Sequence, residues 1–186
     1  INKSTDAEKP MLIRAGTQVA VPFAEGSSLG AGDIIKTNQG QTVELKFFMP
    51  TEQTITIGEN SEVRINELAD LNCQSAFEIL KGQISSEGTH DQLQEIKNCA
   101  SEIKTKNAEI RPTGTKYSVD LSEAVSEANG ETVQIEKYSV EKGSIQIRLR
   151  QIIPKSKSVQ IAKNRSFQLK AGQKAKVRIN SKTKLA

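Results

Sequence analysis

Few residues of this sequence have the type and spacing that catalysis or metal binding requires. The only histidine, His90, is followed by Asp91, and the pair fits a helix N-terminus better than a general base with its orienting acid. His90 does not combine with Cys73 and Cys99 into a zinc-site spacing. The sequence also has no nucleophile elbow and no phosphate-binding glycine loop. We therefore expect a protein without catalytic activity, cofactor or metal ion.

Basic residues are concentrated near the C-terminal end. Residues 142–186 contain 13 of the 26 lysines and arginines and none of the 22 acidic residues. Such a block is either a solvated face or a binding surface for an anionic partner. Alternation with apolar residues places five cations on the solvent face of two predicted strands: Arg148, Arg150, Lys174, Lys176 and Arg178.

If those two strands are neighbours, the five cations form a ribbon. A basic ribbon would bind an anionic envelope polymer such as lipopolysaccharide, teichoic acid or acidic polysaccharide, or the acidic N-terminal portion of the same or another molecule. Nucleic acid fits less well, because no aromatic residues interleave the cations for base stacking.

Apolar and polar residues alternate through most of the chain, which indicates β-strands. Val43, Leu45 and Phe47 share one face of such a strand. The same period recurs at 54–57, 63–65, 77–79, 117–121, 145–149, 167–169 and 175–179. Turn-forming pairs such as Lys81-Gly82 and Lys142-Gly143 separate these runs. The sequence therefore predicts an all-β fold of many short strands, in a sandwich or a solenoid-like arrangement.

One stretch departs from this period. A capping-box spacing at 89–92 is followed by apolar residues at helical intervals, which predicts a short helix near residues 90–101. Residues 1–11 are predicted to be a flexible lead-in. Residues 12–186 are predicted to form a single domain, with one lobe or two. No apolar run has the length of a membrane-spanning helix.

The start of the chain and its two cysteines bear on location. The sequence begins at Ile1 without a signal peptide, as expected if a leader or anchor was removed or lies outside it. Two cysteines in an exported chain favour one disulfide, Cys73–Cys99, whereas in the cytosol they would be buried thiols. A bridge would require parallel strands or a helical excursion that brings Cys99 back to Cys73.

The order of turns and strands resembles the FecR family, named for the periplasmic regulator of ferric citrate uptake. Its most distinctive motif is matched at 29–37, where a leucine is followed by Gly-Asp, an aliphatic residue and Thr. The stretch at 114–119, Gly-Thr-Lys-Tyr-Ser-Val, is similar to the family's Gly-Thr-x-aromatic-x-Val signature. The remaining similar stretches are 13–19, 42–47, 55–63, 77–84, 140–145 and 169–175.

Four residues of these motifs are expected to have structural roles. Gly32 should supply a backbone conformation closed to other residues, and Asp33 should accept hydrogen bonds from turn amides. Gly114 and Thr115 are expected to start a strand.

The resemblance implies a non-catalytic sensing or binding module of the cell envelope, periplasmic or extracellular. Transducers of the family also have a cytoplasmic anti-sigma segment, a membrane helix and a further C-terminal domain. None of these occurs in this sequence, so we expect a stand-alone envelope protein. Its partner would be an envelope protein or an anionic polysaccharide or lipid. The alternatives are a structural or assembly component that acts by protein–protein interaction, and an enzyme of unrecognised type.

Overall fold

The computed structural model describes residues 9–47, 52–68, 75–88, 101–126, 132–150 and 166–181. Within these ranges the chain forms only strands, turns and loops, so the all-β prediction is confirmed. The strands are β1 (Met11–Ile13), β2 (Ala20–Pro22), β3 (Ile34–Lys36), β4 (Val43–Phe47), β5 (Gln53–Ile57), β6 (Glu62–Glu67), β7 (Ala76–Gly88), β8 (Glu102–Lys104), β9 (Ala108–Ser126), β10 (Thr132–Leu149), β11 (Ser166–Lys170) and β12 (Lys174–Ser181).

Two predictions concern mainly residues outside these described ranges. The helix predicted near residues 90–101 lies outside the described residues up to its last position, Ser101, which precedes β8. Both cysteines and His90 also lie outside the described residues.

All twelve strands belong to one hydrogen-bonded sheet that folds over into two halves. The nine-strand half has the order β2-β1-β3-β6-β7-β8-β9-β10-β11. The six-strand half has the order β4-β5-β7-β9-β10-β12. The strands β7, β9 and β10 are long enough to contribute to both halves. Almost all pairs are antiparallel, and β7 with β8 is the parallel exception among the described strands.

The long strands cross between the halves at glycines. Gly82 in β7 and Gly143 in β10 have φ angles of 83° and 80°, a conformation that favours glycine. Before Gly82, β7 pairs with β6, and after it β7 pairs with β5. The pairs Lys81-Gly82 and Lys142-Gly143, expected to separate strands, therefore bend strands that continue.

A bulge lies beside the bend in β10. Thr113 is opposite Ser144 and Lys116 is opposite Lys142, so Gly114 and Thr115 together face Gly143. Two residues opposite one define a β-bulge, which increases the local twist and bends the strand. The expectation that Gly114 and Thr115 start a strand is corrected here, because they lie inside β9.

The hydrophobic core lies between the two halves. Its members come from the inward-facing positions of both and form one cluster. In the six-strand half one inward row crosses the strands in register: Val43, Ile57, Ile84, Val119, Tyr138 and Ala175. The rings of Phe47 and Phe77, one from each half, meet edge to face with centroids 6.0 Å apart. In a chain without tryptophan, isoleucine, valine and leucine make up most of this core, and burial of their side chains stabilises the fold.

Candidate binding surfaces

Two of the predicted cations of β12, Lys174 and Lys176, lie on the outer face of the six-strand half. Lys174 is opposite Ser139, and Lys176 is opposite Lys137. Both lysines are exposed, while Ala175 between them packs against the core. Arg178 belongs to the same strand, opposite Ile135.

The other two predicted cations belong to the nine-strand half. Arg148 is exposed, between Glu109 of β9 and Ser166 of β11. Arg150 follows β10, and its Nε atom lies 3.4 Å from a carboxylate oxygen of Glu109. A local acidic partner for Arg150 therefore exists, supplied by β9 across the sheet.

The structure separates the five cations into two groups. The strands β10 and β12 are neighbours, but β12 pairs with the first part of β10 whereas Arg148 lies in the second part. Because the inner faces of both halves cover one core, their outer faces point in opposite directions. Lys174 and Lys176 are therefore on one side of the molecule, and Arg148 is on the other.

The lysines of the six-strand half differ in their partners. Lys116 lies 3.4 Å from Glu87 and 3.5 Å from Glu141, and the negative charge of Glu141, followed by the contacts with Glu87, raises the pKa of Lys116. Lys137 lies 3.3 Å from Asp120. No carboxylate in the described part of the chain pairs with Lys174 or Lys176. Among the described lysines of this outer face, uncompensated positive charge is therefore concentrated at β12.

A row of small hydroxyl side chains crosses the same outer face. Thr56 is opposite Ser85, Ser85 opposite Ser118, and Ser118 opposite Ser139. The row ends at Glu44 on β4 and at Lys174 on β12. These four hydroxyl residues are half-buried, and the described residues make no hydrogen bond to their side chains. We call them the hydroxyl row.

The hydroxyl row is bordered by longer side chains. On one side lie Glu87 and Lys116, and on the other lie Asp120 and Lys137. At the β4 end a groove of about 300 Å³ opens over Thr54, Thr56 and Ser85. Sequence analysis did not predict this row, although each member occupies a polar position next to a buried one. Strand register is needed to see that they align.

Asp33 accepts several hydrogen bonds in the loop before β3. Its carboxylate accepts hydrogen bonds from the backbone amides of Ala15 at 2.8 Å and Gly30 at 3.0 Å, and from Arg14 Nη1 at 2.9 Å. Burial alone would raise the pKa of Asp33, but these hydrogen bonds and the Arg14 charge outweigh it and lower the pKa. Gly32 beside it has a φ of 88°, a conformation that favours glycine.

A buried carboxyl, Glu136, was not predicted. It is fully buried in β10, where Asn107 Nδ2 donates to it at 2.9 Å and the Tyr138 hydroxyl donates to its other oxygen. Burial, followed by the negative charge of Glu136, raises the pKa of Tyr138. Thr105 accepts from the amides of Asn107 and Ala108. The network fixes the turn between β8 and β9 against β10, which indicates a structural role.

A second polar group lies in the core near the groove. Ser101 donates to Gln53 at 2.6 Å, and Gln53 donates to Ser86 at 2.9 Å. Burial raises the pKa of Tyr117, which is opposite Ser86, and the Ser86 side chain opposes the shift only in part. The described residues offer the Tyr117 hydroxyl no hydrogen bond of normal geometry.

Metal binding and membrane insertion each require a feature that the described residues lack. They contain no cluster of three or more His, Cys, Asp or Glu side chains arranged to hold a metal ion. They contain no helix with the length and hydrophobicity to cross a membrane.

Comparison with known proteins identifies the family. Two crystal structures, at 1.65 Å and 2.50 Å resolution, of a protein provisionally described as an anti-sigma factor from Parabacteroides distasonis ATCC 8503 have a similar fold. Each gives a TM-score of 0.53 and 12% identity, over 80% of this chain and 58% of theirs, so this chain spans less than two thirds of that protein. No curated protein matches the sequence. Residues 33–146, more than half of the chain, match the family model described as FecR protein, and the chain therefore belongs to the FecR family.

Proposed function

We propose that this chain is a non-catalytic sensing or binding module of the cell envelope, periplasmic or extracellular, which binds an anionic envelope polymer through β12. Family membership supports the sensing or binding role. The fold likeness to a provisionally described anti-sigma factor is consistent with it.

The observation that carries the polymer proposal is the unpaired charge on β12. Lys174 and Lys176 are exposed on one strand face, without an ion-pair partner among the described residues. Residues 142–186 contain no acidic side chain to neutralise them. Clustered cations of this kind attract polyanions from beyond contact distance.

Titration with purified lipopolysaccharide and lipoteichoic acid tests the proposal. Affinity should fall steeply as salt rises from about 0.1 M to about 1 M, because the Debye length shortens from about 10 Å to about 3 Å. The triple variant K174Q/K176Q/R178Q should bind about tenfold more weakly, since each exposed charge pair contributes a few tenths to 1 kcal/mol.

The double variant R148Q/R150Q is the matched control, because it removes cations from the opposite side of the molecule. It should keep the wild-type affinity. Loss of binding in the control with retention in the triple variant would transfer the polymer site to the nine-strand half. Absence of binding to both polymers at low salt would reject the proposal.

A protein partner is the second candidate. The edge of β12 that faces away from β10 has no neighbouring strand among the described residues, and an open edge can accept a strand from another chain. Concentration-dependent self-association in sedimentation experiments, together with no polymer binding, would favour this assembly role.

A further inference from the structure

The hydroxyl row lies between two rows of longer side chains on the outer face of the six-strand half. We call this strip the trough, and the groove of about 300 Å³ forms its β4 end. The floor of the trough consists of the short side chains of Thr56, Ser85, Ser118 and Ser139. The ion-paired side chains of Lys116 and Lys137 stand on either side. Neighbouring strands are about 4.8 Å apart, so the row from β4 to β12 spans roughly 24 Å. This length suits an extended polymer chain rather than a single small molecule.

The hydroxyl groups along the trough favour one class of extended polymer over another. Each hydroxyl offers one donor and two acceptors, and the described residues leave those of the hydroxyl row unbonded. The strands beneath run across the trough, and their backbone groups are already paired with neighbouring strands. A peptide therefore cannot add to the trough as a further strand. A polyhydroxylated chain can exchange hydrogen bonds with every floor residue.

The charge of the trough changes along its length. The flanking charges of Lys116 and Lys137 are paired with carboxylates. At the β12 end, Lys174 continues the row and Lys176 stands beside it, both without a described acidic partner. That end therefore favours a ligand group with negative charge.

We infer that the ligand is an anionic glycan, which lies along the hydroxyl row with an acidic group held by Lys174 and Lys176. This inference rests on the proposed function, because it assigns a chemical class and a binding position to the anionic polymer.

The test compares polygalacturonate with polyglutamate of similar length and charge. Polygalacturonate has both carboxylates and sugar hydroxyls, whereas polyglutamate has carboxylates alone. The wild-type protein should bind polygalacturonate at least about tenfold more tightly, since several hydrogen bonds of about 1 kcal/mol each distinguish the two polymers. Affinity should rise with oligogalacturonate length until the chain spans roughly 24 Å and then level off.

Variants distinguish the contribution of the hydroxyl row to binding from the contribution of the lysine charges. The quadruple variant T56V/S85A/S118A/S139A should lose the preference for polygalacturonate and bind polyglutamate within about twofold of wild type. The control Q146A/S166A removes exposed polar groups from the outer face of the nine-strand half and should leave both affinities unchanged.

Each outcome discriminates between the two proposals. Equal binding of the two polymers by wild type, both lost in K174Q/K176Q/R178Q, would overturn the glycan inference and leave the anionic-polymer function standing. Failure of both polymers to bind at low salt would overturn the glycan inference, and failure of lipopolysaccharide and lipoteichoic acid to bind as well would overturn the proposed function. A circular dichroism spectrum like that of wild type ensures that a loss in the quadruple variant reflects the floor and not unfolding.

Discussion

Asp33 shows how a motif residue with a charged side chain serves the fold. Its carboxylate is nearly inaccessible to water and accepts hydrogen bonds from three donors, two just after β1 and one in its own loop. Its own backbone carbonyl also accepts from the Ile65 amide at 2.8 Å. The Gly-Asp pair of the motif therefore joins the loop before β3 to β1 and β6. A buried acid is retained because hydrogen bonds replace the water that it loses.

Replacing Asp33 with asparagine should destabilise the protein in a pH-dependent way. The pKa of Asp33 is lowered in the folded state, so its contribution is present above the ordinary value of 3.8 and disappears as pH falls through the folded value. At pH 7 the variant D33N should lose about 1–3 kcal/mol of unfolding free energy. The difference should shrink below about pH 4. Urea denaturation at several pH values measures both effects.

Asp120→Asn is the matched control for that experiment, because Asp120 forms an exposed ion pair with Lys137. It should change the unfolding free energy by less than about 0.5 kcal/mol. A D33N loss that persists undiminished at pH 3 would show that geometry, and not charge, makes the residue important.

The hydrogen-bonding partners of the buried Glu136 could not be predicted from the sequence. Alternation along β10 places it on the same face as Tyr138 and Val140, and both of those are buried. The donors that satisfy it come from Asn107 and Tyr138, and Asn107 is 29 residues away along the chain. A sequence shows the face of a strand but not the turn that covers it. A glutamate on an inward face was the available signal.

At the scale of elements, the strands could be predicted from the sequence, whereas the pairing of one strand with another could not. The predicted run at 42–47 corresponds to β4, and those at 145–149 and 175–179 lie in β10 and β12. Period two is local and so can be detected in one segment. Register depends on long-range pairing, so the sequence alone could not decide whether the five cations form one ribbon. Pairing of β12 with the first part of β10 separates them.

The parallel pairing of β7 with β8 bears on the predicted disulfide. Ala76 is opposite Glu102, and the Ser75 carbonyl accepts from the Glu102 amide at 2.8 Å. Cys73 and Cys99 each precede one of those paired residues by three positions. Parallel strands were one of the two arrangements that a bridge would require. We propose that the disulfide forms, because the described parallel pairing begins three residues after each cysteine and a bridge needs Cα atoms within about 7 Å.

Non-reducing peptide mapping should recover Cys73 and Cys99 in one linked peptide pair. Reductant should lower the unfolding free energy by about 3 kcal/mol in the chain-entropy description of a loop of this length. The double variant C73A/C99A should show no response to reductant. Recovery of two free thiols from protein purified under oxidising conditions would reject the bridge.

At the scale of the whole molecule, one sheet covers both sides of one core because its long strands bend. Alternation alone left a sandwich and a solenoid open, since both produce short strands with frequent turns. Three successive turns of the chain, at Thr37, at 58–61 and at Gly82, lie side by side at the bend and are joined by hydrogen bonds. We call these turns corners. The Thr37 hydroxyl donates to the Gly58 carbonyl at 2.6 Å and accepts from the Ser61 amide at 2.9 Å. Ser61 Oγ in turn accepts from the Gln83 amide at 2.9 Å. Each corner thus rests on the one before it.

Gly82 should be the most sensitive of these corners to substitution. Its φ of 83° is unfavourable for alanine, and an added Cβ would lie 2.6 Å from the Ser61 Cα and overlap the Ser61 hydroxyl. Left-handed strain of about 1–2 kcal/mol and overlap of about 1–3 kcal/mol should together cost G82A about 2–5 kcal/mol. Gly40 has a φ of 74° with no atom within 4 Å of an added Cβ, so G40A should lose only the strain. Chemical denaturation of both variants measures the difference. Equal losses would show that Ser61 yields and that close stacking of the corners does not hold the two halves together.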